Sequence, residues 1–364
     1  MRLPNPYRPE APIVSECLNT LSQALDWAAC AAQAAPWVQA VRQHPPPFWA
    51  VESLLKEYPL SSSEGLALMR LAEALLRVPD LETAIALTAD QLGRADFSDA
   101  TDHPALARLS SAAIHLSKNF LPDHQGHSGL LGRLGARSVV AATLRAVQLL
   151  GHQFVLGQSM GEALAVAAAA RHKAHGLRYS YDMLGEGART GADALKYLAN
   201  YQNAIEVIAA RAELTCGSEQ KDGISIKLSA LHPRYEDGQH ARVMAELVPR
   251  VWGLCEQAAR ANLSLTIDAE EVDRLELSLD VFGALAAKVA LYYPQWGGFG
   301  LALQAYQTRS LALVEHVIHT ARHLQIRLMC RLVKGAYWDA EIKRAQELGP
   351  VSYTHLTLPT SDLV

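Results

Sequence analysis

The 364-residue chain has almost no excess of either charge, since 33 Lys+Arg stand against 37 Asp+Glu for a formal net charge of −4. Bulk electrostatics therefore supplies no attraction for a polyanion such as nucleic acid. Aromatic residues make up 7% and charged residues 19% of the chain, while 50% is hydrophobic; that excludes disordered and collagen-like classes. The five cysteines, Cys17, Cys30, Cys216, Cys255 and Cys330, are odd in number and show no C-x-x-C spacing. Neither a zinc site nor a disulfide framework fits, and buried reduced thiols are expected. A membrane-spanning run is missing too. Residues 289–308 contain no Lys, Arg, Asp or Glu, but Pro294, Gly297, Gly298, Gln295, Gln304 and Gln307 interrupt them. Residues 1–12 carry Pro4, Pro6, Pro9 and Pro12 and no apolar h-region, so a cytoplasmic location is expected.

What is present is enough length for two or three domains, or for one large barrel with an appendage. Residues 14–120 read as helices separated by proline-rich joints such as His44-Pro45-Pro46-Pro47. Ser61 and Glu64 form a capping-box pattern ahead of Leu68, Leu71, Ala72, Leu75 and Leu76, and the run stops at Val78-Pro79. The pair His124 and His127 lies in a linker-like patch with no third ligand nearby, so no metal site is expected.

From Arg178 the pattern changes to short β-prone runs at 178–183, 224–228, 263–267, 299–303 and 327–333, separated by helical patterns. One helical stripe is Val243, Leu247, Val251, Leu254 and Ala258; another is Leu311, Val314, Val317, Ile318 and Ala321. Such alternation implies right-handed βαβ units and a parallel sheet. Each run delivers polar groups near its C-terminal end: Asp182 and Glu186, Lys227, Asp268 with Glu270 and Glu271, Gln304, then Arg331 and Lys334. A (β/α)₈ barrel assembles its active site at that end. No G-x-G-x-x-G follows any run, which counts against a doubly wound dinucleotide fold.

Lys227 sits in an otherwise apolar run, where desolvation requires a partner such as Asp268 or Glu186. It could be an interior ion pair, a Schiff-base lysine as in aldolase-like barrels, or an electrostatic group of an active site. In Arg331-Leu-Val-Lys-Gly-Ala-Tyr-Trp338, two cations lead into a glycine and two aromatics. Gly335 would let a planar or phosphorylated ligand approach the backbone, and Tyr337 and Trp338 could cover a ring face or simply pack the core.

Five segments in order, Arg178–Glu186, Ile224–Tyr235, Ile267–Glu271, Gln304–Gln307 and Arg331–Asp339, closely resemble the proline dehydrogenase domain of the bifunctional proline utilization A family. The resemblance covers about residues 50–348. It implies an α/β fold, a distorted (β/α)₈ TIM-type barrel of which about five strands are present, preceded by an all-α region. It also implies noncovalent FAD, oxidation of L-proline to Δ1-pyrroline-5-carboxylate by hydride transfer to flavin N5, and delivery of electrons to a membrane quinone, the first step of proline degradation to glutamate. On this sequence Arg331 would lie beside flavin N5. Asp268, Ala269, Gln304, Val333, Lys334, Gly335, Ala336 and Trp338 would line the flavin. Lys227, Asp268 and Tyr337 would face proline, with Glu186 near the pocket mouth.

The expected organisation is an N-terminal helical arm at 1–50, a helical domain at 51–130, a helical connection at 131–177, a partial barrel at 178–349 and a non-native tail at 350–364. The resemblance stops before the late arginine pair that holds the substrate carboxylate in the family, so the chain as it stands is expected to be inactive or poorly folded. Members that repress transcription begin with a basic ribbon-helix-helix, whereas residues 1–50 have only Arg2, Arg8 and Arg42, and DNA binding is not expected. The remaining partner expectations are peripheral contact with a membrane and a homodimer through the N-terminal helices. A Schiff-base aldolase using Lys227 and a non-catalytic dimerisation fragment are the competing readings.

Overall fold

The computed structural model describes residues 2–5, 8, 10–24, 26–44, 155–173, 176–212, 217–335, 337, 340–341, 343–344 and 347. The Ser61–Glu64 cap, the His124/His127 pair, most of the expected 51–130 and 131–177 segments and all of 350–364 fall outside the described residues. The chain divides into two compact units, residues 1–33 with 163–364, and residues 34–162. The sheet belongs to the first.

Helices α1 (Glu10–Ala24) and α2 (Trp27–Gln43) come first, and α3 (Met160–Lys173) precedes the sheet. Then β1 (Ser180–Asp182), α4 (Gly191–Ala209), β2 (Gly223–Ile226), α5 (His240–Arg260), β3 (Ser264–Ile267), α6 (Leu275–Tyr292), β4 (Phe299–Gln304), α7 (Ser310–Leu324) and β5 (Met329–Val333) alternate. All four strand pairings are parallel and the spatial order is β1-β2-β3-β4-β5. Sequence neighbours are thus sheet neighbours throughout, the winding of a barrel; a doubly wound sheet reverses its order at a switch point. The architecture is α/β of the TIM-barrel type, and all five expected strands are present within two or three residues of their expected bounds.

The two-residue period of a strand sorts the side chains. Ile224 and Ile226, Leu265 and Ile267, and Phe299, Leu301 and Leu303 point to one face, and all are buried beneath helices. The alternate positions are Ser180 and Asp182, Gly223 and Ser225, Ser264 and Thr266, Gly300, Ala302 and Gln304, and Arg331 and Val333. These form the other, polar face. Small residues there let the strands curl. At Gly223 an added Cβ would come 1.9 Å from Ser264 Oγ and 2.5 Å from the Ser264 carbonyl, so nothing larger fits.

The helices close the apolar side. In α5, Val243, Leu247, Val251, Leu254 and Ala258 are all buried, as their spacing predicts. Helix α6 adds Phe282, whose ring stacks on Phe299 of β4 at 5.0 Å between centroids. Trp296 donates its indole N–H to the Leu263 carbonyl at 2.8 Å, satisfying a buried donor beside β3. Helix α4 starts at a full capping box in which Thr190 and Asp193 each bond the other's main-chain N–H. Helix α7 departs from expectation, because Leu313 and Val317 are buried while Leu311 and Ile318 stay 50% and 42% exposed. Its contact with β4 follows the 313–317 line rather than the wider stripe. The thiols also differ from expectation: Cys255 is buried, whereas Cys17 is intermediate and Cys30 and Cys330 are exposed.

Candidate functional site

The site grows from the polar face at the C-terminal strand ends. Strand β2 stops at Ile226, so Lys227 lies just past the strand, not inside it, and precedes a single helical turn, Leu228–Leu231. Its main-chain N–H donates to the phenol of Tyr201 on α4 at 3.2 Å, and that ring is 1% exposed. Burial pushes the Tyr201 hydroxyl up to about 12, so it stays protonated and bonded. The lysine is anchored at its backbone before its side chain is considered.

Lys227 Nζ donates to both carboxylate oxygens of Asp182, at 2.9 and 2.8 Å, and to Asp268 Oδ2 at 3.3 Å. Asp268 also accepts from the guanidinium of Arg331. One carboxylate just past β3 thus joins a cation just past β2 to a cation on β5. Burial works against the charge of Lys227, yet Asp182 and Asp268 outweigh it and hold its pKa above the ordinary lysine value. Burial lifts the Asp268 carboxyl above its usual range, with Lys227 and Arg331 pulling against that rise.

Arg331 completes the arrangement in an unexpected way. Its Nη1 donates to Ser225 Oγ on β2 at 2.8 Å and to Ser180 Oγ on β1 at 3.3 Å, and the two hydroxyls are 2.9 Å apart. In a flat sheet, four strand spacings of roughly 4.8 Å would put β5 about 19 Å from β1, beyond an arginine's reach. The sheet is therefore strongly curled. The loops confirm it, since the Tyr337 hydroxyl after β5 donates to Glu186 Oε2 after β1 at 3.0 Å. Burial and that bond both raise the Tyr337 pKa.

Gln304, 2% exposed, ends β4. Its Nε2 donates to the carbonyls of Ala269 and Glu270 at 3.3 and 2.8 Å, which fixes the amide's orientation, and its Oε1 is buried with no partner. Glu270 holds the preceding loop, accepting from the main-chain N–H of Ser229 at 3.1 Å and from its hydroxyl. Burial raises Glu270 to about 7. Gly335 has φ +138°, and an added Cβ would come 2.0 Å from the Tyr306 ring. The tight approach it permits here is to a protein ring, where the sequence pointed to a ligand. Lys334 is exposed beside it and Val333 is half-buried. Ala336 and Trp338 lie outside the described residues.

The structure therefore brings Lys227, Asp268 and Arg331 together, places Gln304 and Ala269 in direct contact, and joins Glu186 to Tyr337. Sequence reasoning assigned no role to Ser180, Ser225 or Tyr201, and left Asp182 as a strand-end acid. The signal for Ser180 and Ser225 was their two-residue phase with Asp182 and Lys227, which puts all four on the polar face.

A curled, singly wound parallel sheet with cations and carboxylates converging at its C-terminal ends defines a barrel-type enzyme domain. The family profile described as "Proline dehydrogenase" matches residues 165–363, more than half of the sequence, and the chain belongs to the proline dehydrogenase family. It is 44% identical over 311 residues to the bifunctional protein PutA of Klebsiella aerogenes and 43% identical over 311 residues to that of Escherichia coli, covering 83% of this chain in each case. It spans 23% of the length of these relatives. A crystal structure of a Bradyrhizobium japonicum proline utilization A variant, 43% identical, aligns over 96% of this chain and 36% of its own with a TM-score of 0.64. A second profile, described as the DNA-binding domain of proline dehydrogenase, matches residues 50–154, all outside the described residues. That match is at odds with the expectation of no DNA binding, which rested on the chain's charge balance and on residues 1–50.

Proposed function

We propose that this chain carries part of a flavin-dependent proline dehydrogenase that oxidises L-proline to Δ1-pyrroline-5-carboxylate. The observation that carries this reading is the Lys227–Asp268–Arg331 chain of ion pairs across three strand ends, in a member of the proline dehydrogenase family. FAD fits the groups present. The buried, unpartnered Oε1 of Gln304 is an acceptor suited to a flavin imide N–H, and Arg331 is a cation suited to the electron-rich edge of the reduced ring. Asp268, Ala269, Gln304, Arg331, Val333, Lys334, Gly335, Ala336 and Trp338 would hold it. The chemistry it supplies when bound is acceptance of a hydride at N5.

The protein's part is orientation and charge. Arg331 is held by two hydroxyls and a carboxylate, so its guanidinium is positioned before any ligand arrives. Lys227 and Asp268 present a cation and an anion side by side, matching the carboxylate and amine of a zwitterionic amino acid. Tyr337 offers a hydroxyl and Glu186 fixes it at the mouth. The Schiff-base reading fares worse: an aldolase lysine must be neutral to attack a carbonyl, and two carboxylates hold Lys227 charged.

Electron delivery to a membrane quinone belongs to the same proposal. No described helix is long and apolar enough to cross a membrane. Peripheral contact with the membrane and a cytoplasmic location are part of the proposal. A homodimer through the N-terminal helices draws support from α2, where Trp27, Trp37 and Val41 are 56%, 65% and 67% exposed and no residue is buried. The domain order expected from the sequence is proposed with it.

The test is an anaerobic titration with L-proline of the protein expressed from its complete coding DNA. Bleaching of a bound flavin spectrum by proline, lost on Arg331→Met, is the expected result. A folded protein without flavin, or with a flavin that proline leaves oxidised, overturns the reading.

A further inference from the structure

The N-terminal ends of β1 and β2, opposite the candidate site, border a cavity of about 330 Å³. That volume is at the lower end of the range for small-molecule pockets. Four of its lining residues, Arg171, Arg178, Arg211 and Lys221, are cationic, and one, Asp222, is anionic.

The single carboxylate is already committed. Both carboxylate oxygens of Asp222 accept from Nη2 of Arg171 on α3, and they also accept from the Tyr179 main-chain N–H at 3.0 Å and the Tyr181 hydroxyl at 3.2 Å. Among the described residues, three cations remain without a counter-charge. Arg178 spends its Nε on the Gln220 carbonyl and its Nη1 on the Leu177 carbonyl, which leaves Nη2. Arg211, in the turn after α4, donates its main-chain N–H to the Ile208 carbonyl at 3.1 Å, and its guanidinium makes no hydrogen bond or ion pair among the described residues. Lys221 is the most telling. It is 7% exposed, yet among the described residues its ammonium meets only the Ala261 carbonyl, at 3.3 Å. A buried ammonium without a carboxylate is costly, and structural ion networks place an acid beside it.

We propose that this cavity binds a dianionic oxyanion, of the class of inorganic phosphate and phosphate monoesters. Three cationic groups around one hollow exceed what a monocarboxylate would neutralise. Arginine forks and a lysine point charge are the donor set that phosphate oxygens favour. The site is independent of the chemistry proposed at the other end of the strands.

Calorimetric titration of the purified protein with inorganic phosphate, and separately with glycerol 3-phosphate, against sodium chloride at matched ionic strength tests this. Saturable binding of phosphate is expected, weakened about tenfold in Arg211→Ala, the loss of one charge-assisted contact, and at least as much in Lys221→Met. Tighter binding of the ester would assign the site to monoesters, and equal affinity to free phosphate. The Arg211 side chain is exposed and bonds nothing among the described residues, so Arg211→Ala should fold as the parent does. An unchanged phosphate affinity in that variant, or a response matched by chloride, would overturn the proposal.

Discussion

The two ends of the same five strands handle charge in opposite ways. At the C-terminal end, Lys227 and Arg331 meet Asp182 and Asp268, two cations for two carboxylates, with Asp268 shared. At the N-terminal end, Asp222 is spent on Arg171 while Arg178, Arg211 and Lys221 have no acid beside them among the described residues. A balanced cluster is stable and pre-organised without a ligand; an unbalanced one stores an attraction for an anion. The barrel frame supports both because short strands expose two separate rings of end residues.

Removing the shared acid should break the contrast most strongly. Asp268→Ala strands Arg331 and weakens the hold on Lys227, and a loss of about 2–3 kcal/mol in urea unfolding is expected for part-buried, charge-assisted bonds. A change under 1 kcal/mol would mean the cluster is looser than its distances imply. Ser225→Ala comes next. It removes the shorter of the two hydroxyl contacts to Arg331, for a cost of about 1–2 kcal/mol, while Ser180→Ala should cost less, its contact being longer.

A pH series separates the groups at the C-terminal end. Burial favours protonated Glu270 in the fold, so its contribution is fully present below the ordinary glutamate value of about 4.3. That contribution is lost as pH rises through about 7. Glu270→Gln should flatten the fall of the thermal midpoint over that window; an unchanged slope would assign it to another group. Lys227 acts at higher pH, where its stabilisation should persist to the ordinary lysine value and vanish only above it. The smallest effect belongs to the other end. Arg211→Ala should change stability by less than about 0.5 kcal/mol, as for an exposed, unbonded side chain, so its effect on phosphate binding would be read on an intact fold.

Much of the frame was legible. Five β-prone runs with polar C-terminal ends named the strands and the end that carries the site, because burial on one face imposes a period of two on the residues. Lys227, Asp268 and Arg331 stood out as charges beside apolar runs. Ser180 and Ser225 did not, since a serine in a strand has no signature of its own until something reaches it. Gly335 was legible as special but not in its purpose, because a sequence shows that a side chain is missing without showing what fills the space. Lys221 was illegible as well, since its burial depends on where the Ala261 carbonyl and α3 come to rest.

By itself, then, the sequence determined the alternation of strands and helices, the face each strand side chain takes and the identity of the charged groups at the strand ends, all of which follow from local periodicity and the cost of burying charge. Only the tertiary structure decided that Arg331 on β5 lies against β1 and β2, because that contact depends on the accumulated curl of five strands, a quantity that no single segment encodes.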